Sequence, residues 1–232
     1  MRKLTIALMA SAIALAGATG ASAAEIAVIV KTVNSTFWQN VQKGADAAIA
    51  TAKGKHTMTF QGPAAESAIA DEVNMVENAV NRKVGAILLA PSDPDALVPA
   101  VKKAWEARIP VVIIDSQLAD GADKYYQSFL ATDNRKAGEL AAQAMIDKVG
   151  TTGKIAVMSY VAGAGSEIGR VGGFTDYIKA NSKLEIVGPY YSQSQMATAL
   201  NQTTDVLAAN SDLKGIFGAN EPTAIGMGRA IK

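Results

Sequence analysis

The chain has 232 residues, a formal net charge of +1, no cysteine and a single histidine. A near-neutral charge without basic clusters disfavours nucleic acid and anionic membrane surfaces as partners. Without cysteine, and with His56 alone in a polar turn, neither a metal site nor a Ser-His-Asp triad is expected. We expect a protein held together by its core, with no metal and no cofactor.

Residues 1–23 have the pattern of a secretory signal peptide. Arg2 and Lys3 form its positive start, Leu4–Ala16 its apolar run, and Ala21–Ala23 an A-x-A cleavage site. The apolar run is short for a membrane span, and small residues rather than a stop-transfer pattern follow it. These features disfavour an uncleaved anchor and predict export to the periplasm.

After the signal, short apolar runs alternate with longer amphipathic ones, which predicts strands alternating with helices. The first series has strands at Ile26–Val30, Thr57–Phe60, Ala86–Leu89 and Val111–Ile114, and helices at Phe37–Ala52, Ser67–Asn81 and Ala96–Ala107. Trp105, among the lysine and glutamate residues of the third helix, is expected to pack between that helix and the sheet. This alternation implies parallel sheets flanked by helices on both faces.

A second series repeats the order and spacing of the first. Its strands lie near Phe129–Ala131, Ile155–Ser159, Glu185–Val187 and Gly215–Phe217, and its helices near Arg135–Lys148, Glu167–Ala180, Met196–Ala209 and Thr223–Ile231. The predicted fold class is therefore α/β with two similar lobes, 24–124 and 125–232, and the change of lobe is expected near the polar stretch Ala119–Gln127. No glycine, proline or further strand follows the last helix, so we expect the second lobe to be incomplete at Lys232.

Polar side chains recur just past the carboxyl ends of the predicted strands, where open α/β sheets bind ligands. They are Lys31, Asp93, Asp95, Asp115, Ser116, Gln117, Asp133, Asn134, Arg170, Asn220 and Glu221. The segment Lys31–Trp38 combines a cation, hydroxyl and amide side chains and two aromatic rings. That combination suits a ligand with apolar faces and many hydroxyls, such as a sugar.

Several of these residues can be explained without a ligand. Asp93, Asp95, Asp133 and Asn134 stand where helix N-caps are expected, and capping alone would account for them. Lys31 can equally be read as a solvated strand end.

The aromatic pair, Asp115 and Arg170 are harder to explain by structure alone. Phe37 and Trp38 are adjacent and cannot share a helix face, so we expect one ring to pack and the other to face the crevice. No helix start closely follows Asp115. Arg170 lies in a glycine-rich segment, where a guanidinium offers fixed donors to hydroxyls or a carboxylate.

Two enzyme motifs fail on inspection. Gly163–Gly169 follows a strand and enters a helix, but its third glycine is one residue late for the dinucleotide-binding fingerprint. The G-x-S-x-G elbow of hydrolases is absent from the chain. We therefore expect a binding protein rather than an enzyme.

Several short stretches, in order along the mature chain, resemble periplasmic sugar-binding proteins of the ribose/allose/galactose cluster. The stretches are Val30–Trp38, Ala90–Asp93, Ile109–Ser116, Thr132–Asn134, Gly169–Phe174 and Phe217–Glu221. These proteins are the substrate-binding components of ABC importers and have the type I periplasmic binding protein fold. The resemblance implies that the chain closes two lobes around a monosaccharide by a hinge motion.

The resemblance also implies residue roles. Trp38, with Phe37, would stack on a sugar face, and Asp115 would accept hydrogen bonds from hydroxyls. Arg170 would donate to hydroxyls or the ring oxygen, and Asn220 would contact the ligand from the second lobe. Lys31, Ser35 and Ser116 complete the expected ligand-binding set, and the Lys31/Trp38 combination is most similar to the allose-binding member.

Some positions depart from the family pattern. Ala90 and Ser116 stand where ribose binders have asparagine and arginine, and Ser194 stands where some members have an aromatic residue. These differences disfavour ribose and leave a hexose such as allose, a pentose or a polyol open. The family's later ligand-binding aspartate and glutamine would lie past Lys232.

The expected partners are the sugar and the permease subunits of an ABC importer, with a chemoreceptor as an open possibility, and the protein is expected to be a monomer. A binder of a furanose-like autoinducer or another small non-sugar ligand is the alternative on the same fold. A sugar-sensing repressor domain is a further alternative, but a signal peptide occupies the place of its DNA-binding helices.

Overall fold

The computed structural model describes residues 24–232, which form an α/β molecule with two parallel sheets. The signal peptide predicted for residues 1–23 lies outside the described part of the chain. The strands are β1 Ala24–Ile29, β2 His56–Gln61, β3 Ala86–Leu89, β4 Val111–Ile114, β5 Ser128–Leu130, β6 Thr152–Ser159, β7 Lys183–Tyr191 and β8 Leu213–Gly218. The helices are α1 Thr36–Thr51, α2 Ile69–Asn81, α3 Val98–Glu106, α4 Asn134–Val149, α5 Gly165–Asn181, α6 Met196–Ala209 and α7 Glu221–Ile231. From residue 24 to 232, no helix is long and apolar enough to cross a membrane.

The two sheets have the orders β2-β1-β3-β4-β5 and β7-β6-β8, and all strand pairs are parallel. This confirms the predicted fold class. We call the first sheet with α1–α3 the first lobe, and the second sheet with α4–α7 the second lobe. Helix α4 packs on α5 and β8, which places it in the second lobe.

The strand predicted to open the second series belongs instead to the first sheet. Ser128–Leu130 pairs with β4, in register Ile113 to Phe129, and forms an edge of the five-stranded sheet. The prediction was wrong because a short apolar run carries no information about which sheet will accept it. The pairing places the change of sheet after Leu130, and the domain division at residues 124 and 125 stays a proposal.

Two further details differ from expectation. Strand β7 has nine residues instead of three, because Gly188-Pro189 interrupts the apolar pattern without ending the strand. The pairing with β6 shifts register between Ala156 and Met158 at this point. Trp105 was expected in the helix–sheet interface but is 46% exposed on α3.

Each lobe has its own apolar core between sheet and helices. In the first lobe, buried residues of β1, β3 and β4 such as Ile29, Leu89 and Ile113 pack against α2 and α3. In the second lobe, Ile155 and Val157 of β6 pack against Phe174 and other residues of α5. Buried strands of this kind fix the positions of the loops that follow their carboxyl ends.

Candidate functional site

A cavity of about 70 Å³ lies between the two lobes at the carboxyl ends of the strands. Loops that follow β1, β2 and β4 supply its first-lobe side, and segments around α5 and α7 supply the other side. The lining residues are Ser35, Phe37, Trp38, Glu66, Asp115, Tyr160, Ser166, Arg170, Asn220, Glu221 and Pro222. Six of the eight expected ligand-binding residues are in this set, and Lys31 and Ser116 lie directly behind it.

Lys31 is a buried cation beneath the cavity, with 2% of its surface exposed. Its Nζ lies 2.8 Å from Asp115 Oδ2 and donates to the hydroxyls of Ser116 at 2.6 Å and Ser166 at 3.2 Å. Burial alone would lower the pKa of Lys31, but the carboxylates of Asp115 and Glu66 outweigh it and raise the pKa. Lys31 is therefore not the solvated strand end that the sequence allowed.

Asp115 has an unusual backbone conformation for a residue with a side chain. Its φ is +64°, in the left-handed region, directly after the last residue of β4. The strain of this conformation is local, and the ion pair with Lys31 holds the carboxylate in place. Ser116 donates its hydroxyl proton to Asp115 at 3.1 Å and accepts from the backbone N–H of Ser166 at 3.1 Å. The first-lobe carboxylate is thus tied to the second lobe through Ser116.

The aromatic pair forms the first-lobe wall of the cavity. Ser35 caps α1 and accepts from the backbone N–H of Trp38. The rings of Phe37 and Trp38 meet edge to face, with centroids 4.9 Å apart. Trp38 is 2% exposed and Phe37 46%, so the Trp38 ring is packed while the Phe37 ring is partly open, and both line the cavity.

Arg170 projects from α5 and is held by three neutral contacts. Its Nε and Nη2 donate to Asn134 Oδ1 at 3.2 and 2.7 Å, and Nη1 donates to the carbonyl of Ala219 at 2.5 Å. The guanidinium also lies 5.8 Å from the centroid of the Tyr160 ring. These contacts leave the guanidinium in the cavity wall in one orientation.

The glycines around Arg170 have a packing role. A Cβ on Gly173 would overlap the carbonyl of Arg135, and a Cβ on Gly138 would overlap the carbonyl of Arg170. Helices α4 and α5 can approach this closely only because these two positions lack a side chain. The close approach brings Asn134 of α4 within reach of Arg170.

Asn220 and Asp133 both act as N-caps, while Asn134 does not. Asn220 Oδ1 accepts from the N–H of Thr223 at the start of α7, and its Nδ2 donates to Ser194 Oγ at 2.9 Å. Asp133 Oδ1 caps α4, as predicted, by accepting from Lys136. Asn134, predicted as a cap, instead holds Arg170.

The sequence reasoning missed several cavity residues, among them Glu66, Tyr160 and Ser166. Glu66 and Tyr160 come shortly after β2 and β6, so the strand-end rule could have found them. Glu221 opens α7, and its carboxylate accepts from the backbone N–H of Phe37 at 2.6 Å. Between residues 24 and 232, no group of three or more metal-ligating side chains is present.

The fold and the cavity define a two-lobed α/β binding protein. A family model described as a periplasmic binding protein domain matches residues 26–232. The D-allose-binding periplasmic protein of Escherichia coli is 30% identical over 215 residues, covering 90% of this chain and 68% of that protein. The ribose import binding protein of Escherichia coli is 28% identical over 235 residues, covering 100% of this chain and 76% of that protein.

Solved structures give the same result. An ABC transporter solute binding protein from Agrobacterium vitis with bound D-fucose superposes with a TM-score of 0.88 at 90% identity, over 89% of this chain and 71% of that chain. A periplasmic solute binding protein from Actinobacillus succinogenes with bound D-allose has a TM-score of 0.80 at 28% identity, over 90% and 73% of the two chains. The chain belongs to the periplasmic binding protein family, and the resemblance found in the sequence is confirmed.

Proposed function

We propose that the protein binds a neutral monosaccharide in the cavity between its lobes and presents it to the permease subunits of an ABC importer. The observation that carries the proposal is the pairing of an aromatic wall with polar groups from both lobes around one small cavity. Phe37 and Trp38 offer faces for the C–H side of a sugar ring, while Asp115, Arg170 and Asn220 offer hydrogen bonds to its hydroxyls.

The charge of the lining favours an uncharged ligand. Three carboxylates, those of Glu66, Asp115 and Glu221, line the cavity, and Arg170 is the one cation among the described residues of the lining. The second nearby cation, Lys31, is already paired with Asp115. A sugar acid or sugar phosphate would place its negative charge against these carboxylates, and like charges at short range repel.

The size of the cavity favours a single sugar ring. A volume of about 70 Å³ holds roughly five waters, which in the liquid occupy roughly 150 Å³. This is the scale of one monosaccharide rather than an oligosaccharide. Together with the sugars bound by its relatives, it supports D-fucose and D-allose as the first ligands to test, followed by D-arabinose and D-ribose.

Two features support periplasmic delivery. The signal pattern of residues 1–23 predicts export, and the related solute binding proteins are described as parts of ABC transporters. In this role the ligand biases the lobes toward closure and is released without chemical change. The protein is therefore proposed to be a carrier, and not an enzyme.

Titration calorimetry against the four sugars and D-galacturonate tests the proposal. We expect at least one neutral sugar to bind and the uronate not to bind. Asp115→Asn and Arg170→Met should each weaken binding about a hundredfold, since each leaves buried polar groups of the ligand unpaired. Arg135→Met is the matched control, because Arg135 is an exposed arginine on the neighbouring helix, 59% accessible and paired with Asp176.

Two results would contradict the proposal. One is unchanged affinity in both the Asp115 and the Arg170 variants while the fold is retained. The other is conversion of the sugar during prolonged incubation, detected by chromatography, because a carrier returns its ligand intact.

A further inference from the structure

Glu66 is the least explained residue of the cavity. It lies in the loop between β2 and α2, and only 5% of its surface is exposed. Its Oε1 accepts from the indole Nε1 of Trp38 at 3.0 Å, and its Oε2 accepts from Ser194 Oγ at 2.6 Å. The two donors come from different lobes, so one carboxylate joins the aromatic wall to the opposite side of the cavity.

Ser194 is held on its own side with little freedom. It lies between β7 and α6, where Gln193 and Ser194 both have a φ of +56°. The Ser194 side chain is 8% exposed, and its oxygen accepts from Asn220 Nδ2 at 2.9 Å. Positive φ at two successive residues with side chains places the hydroxyl where an ordinary turn would not.

The hydrogen bonds of this group have a single direction. Trp38 can only donate, and Asn220 must donate through Nδ2 because its Oδ1 already caps α7. Ser194 therefore receives from Asn220 and gives its one proton to Glu66. A carboxylate at position 66 accepts from both donors, whereas an amide of the same shape can accept from only one of them, so that the Ser194 proton would lose its acceptor.

We infer that Glu66 is a positioning residue that links Trp38 to Ser194, so that closing the cleft fixes the indole against the ligand. The inference rests on the proposed function for its ligand, but the link itself is a property of the protein alone. When the lobes separate, Glu66 loses Ser194 and holds the indole with one oxygen only. The link therefore contributes mainly to the closed state and slows release of the ligand.

A protein with Trp105→Phe provides a direct signal, because the chain has two tryptophans and Trp38 then gives the only indole N–H resonance. Glu66→Gln should shift this resonance and speed its exchange with solvent about tenfold. Ser194→Ala should shift it as well, although Ser194 does not touch the indole in the hydrogen-bond network. Ser67→Ala is the matched control, an exposed serine next to Glu66 that should leave the resonance unchanged.

Stopped-flow kinetics with a bound sugar gives the second arm of the test. Glu66→Gln and Ser194→Ala should each raise the dissociation rate about tenfold, the size of one hydrogen bond to a charged acceptor, with little change in the association rate. Because both variants break the same bond, the double variant should be no faster than the single ones. The loss should be the same for every sugar that binds.

Three outcomes would overturn the inference. They are an indole resonance that ignores Ser194→Ala, effects that multiply in the double variant, and a loss confined to some sugars. The last would make Glu66 a direct contact of the ligand. If the unmutated protein binds none of the sugars, the proposed function fails, while the indole resonance still decides whether the link exists.

Discussion

The two lobes build their halves of the cavity from different kinds of interaction. In the first lobe, a fully buried ammonium, Lys31, pairs with the carboxylate of Asp115, whose backbone is held at a positive φ. In the second lobe, Arg170 is oriented by an amide oxygen and a carbonyl, and Asn220 by its own role as a helix cap. We call the side formed by Lys31 and Asp115 the first wall and the side formed by Arg170 and Asn220 the second wall. The first wall depends on paired charges, and the second wall depends on neutral hydrogen-bond partners.

Because of this difference, we expect substitutions in the two walls to affect the stability of the fold and the affinity for the ligand to different extents. A buried charge that loses its partner destabilises the fold, because its desolvation is no longer compensated. A neutral hydrogen bond contributes only about 1 kcal/mol. We therefore expect changes behind the first wall to lower both stability and affinity, and changes behind the second wall to lower mainly affinity.

The largest effect is expected for Lys31→Met. The variant keeps the length of the side chain but leaves Asp115 without its counter-charge and removes the hydrogen bonds that Lys31 donates to Ser116 and Ser166. The free energy of unfolding should fall by about 3 kcal/mol or more, measured by urea denaturation. Sugar binding should be lost at the same time.

The double variant Lys31→Met with Asp115→Asn separates the charge from the packing. If charge is the cause, removing both charges should restore most of the stability, because a neutral pair needs no compensation. Sugar binding should stay weak, since the carboxylate that follows β4 is gone. A double variant that is less stable than Lys31→Met alone would show that the first wall does not depend on paired charges.

The next prediction concerns the pH dependence of stability and starts from a comparison of one buried carboxyl group in each lobe. Glu167 in the second lobe accepts from Ser159 Oγ at 2.9 Å and from the N–H of Gly163 at 3.4 Å, one bond for each oxygen. Glu72 in the first lobe accepts from the N–H of Ser92 at 3.0 Å through Oε2, and its Oε1 has no hydrogen-bond partner among the described residues. Burial raises the pKa of Glu72 to about 7, although the bond from Ser92 and the charge of Lys31 oppose the shift.

The raised pKa predicts that the fold loses stability as the pH rises. Between pH 4.5 and about 7 the folded state binds the Glu72 proton more tightly than the unfolded state. The contribution is present below this window and is lost through it, by an amount on the order of 3 kcal/mol. Glu72→Gln cannot titrate, so its stability relative to the unmutated protein should rise by this amount from pH 5 to pH 8. Urea denaturation at both values measures the change, and a constant difference would contradict the prediction.

The fold and most of the cavity could be predicted from local patterns. Apolar runs of three to five residues indicated the strands, and the rule that ligands bind past strand ends selected Asp115, Arg170 and Asn220. The placement of these residues at the cavity could be predicted because strand ends are set by the local sequence and parallel pairing then brings the ends together, whereas their binding of a ligand stays a prediction.

The contacts that the sequence could not predict join distant parts of the chain. From the sequence, Lys31 could be a solvated strand end, since no residue near it in the sequence shows that Asp115 will pair with its charge. The pair formed by Glu66 and Ser194 joins two loops without periodicity. Similarly, the short strand Ser128–Leu130 could join either sheet from its sequence alone. In the structure it pairs with the edge of β4 and so belongs to the first sheet.

The smallest predicted effect compares two adjacent residues at the start of α4. Asp133→Ala removes the N-cap and should lower the free energy of unfolding by about 1 kcal/mol while leaving sugar affinity unchanged. Asn134→Ala should cost a similar amount of stability or less, but it removes the acceptor of two Arg170 N–H groups. The affinity should then fall about tenfold, less than in Arg170→Met, because the bond from Arg170 to the carbonyl of Ala219 remains.

The comparison of Asp133→Ala with Asn134→Ala tests the second wall, because it distinguishes a loss of ligand affinity from a loss of stability. Both changes lie at the start of α4 and Asp133→Ala should cost at least as much stability, so a loss of affinity that followed from general destabilisation would appear in both. Calorimetry and urea denaturation on the two proteins give the four values needed. Equal affinity in Asp133→Ala and Asn134→Ala would mean that Arg170 keeps its orientation without the amide, through its contacts with Ala219 and the Tyr160 ring alone.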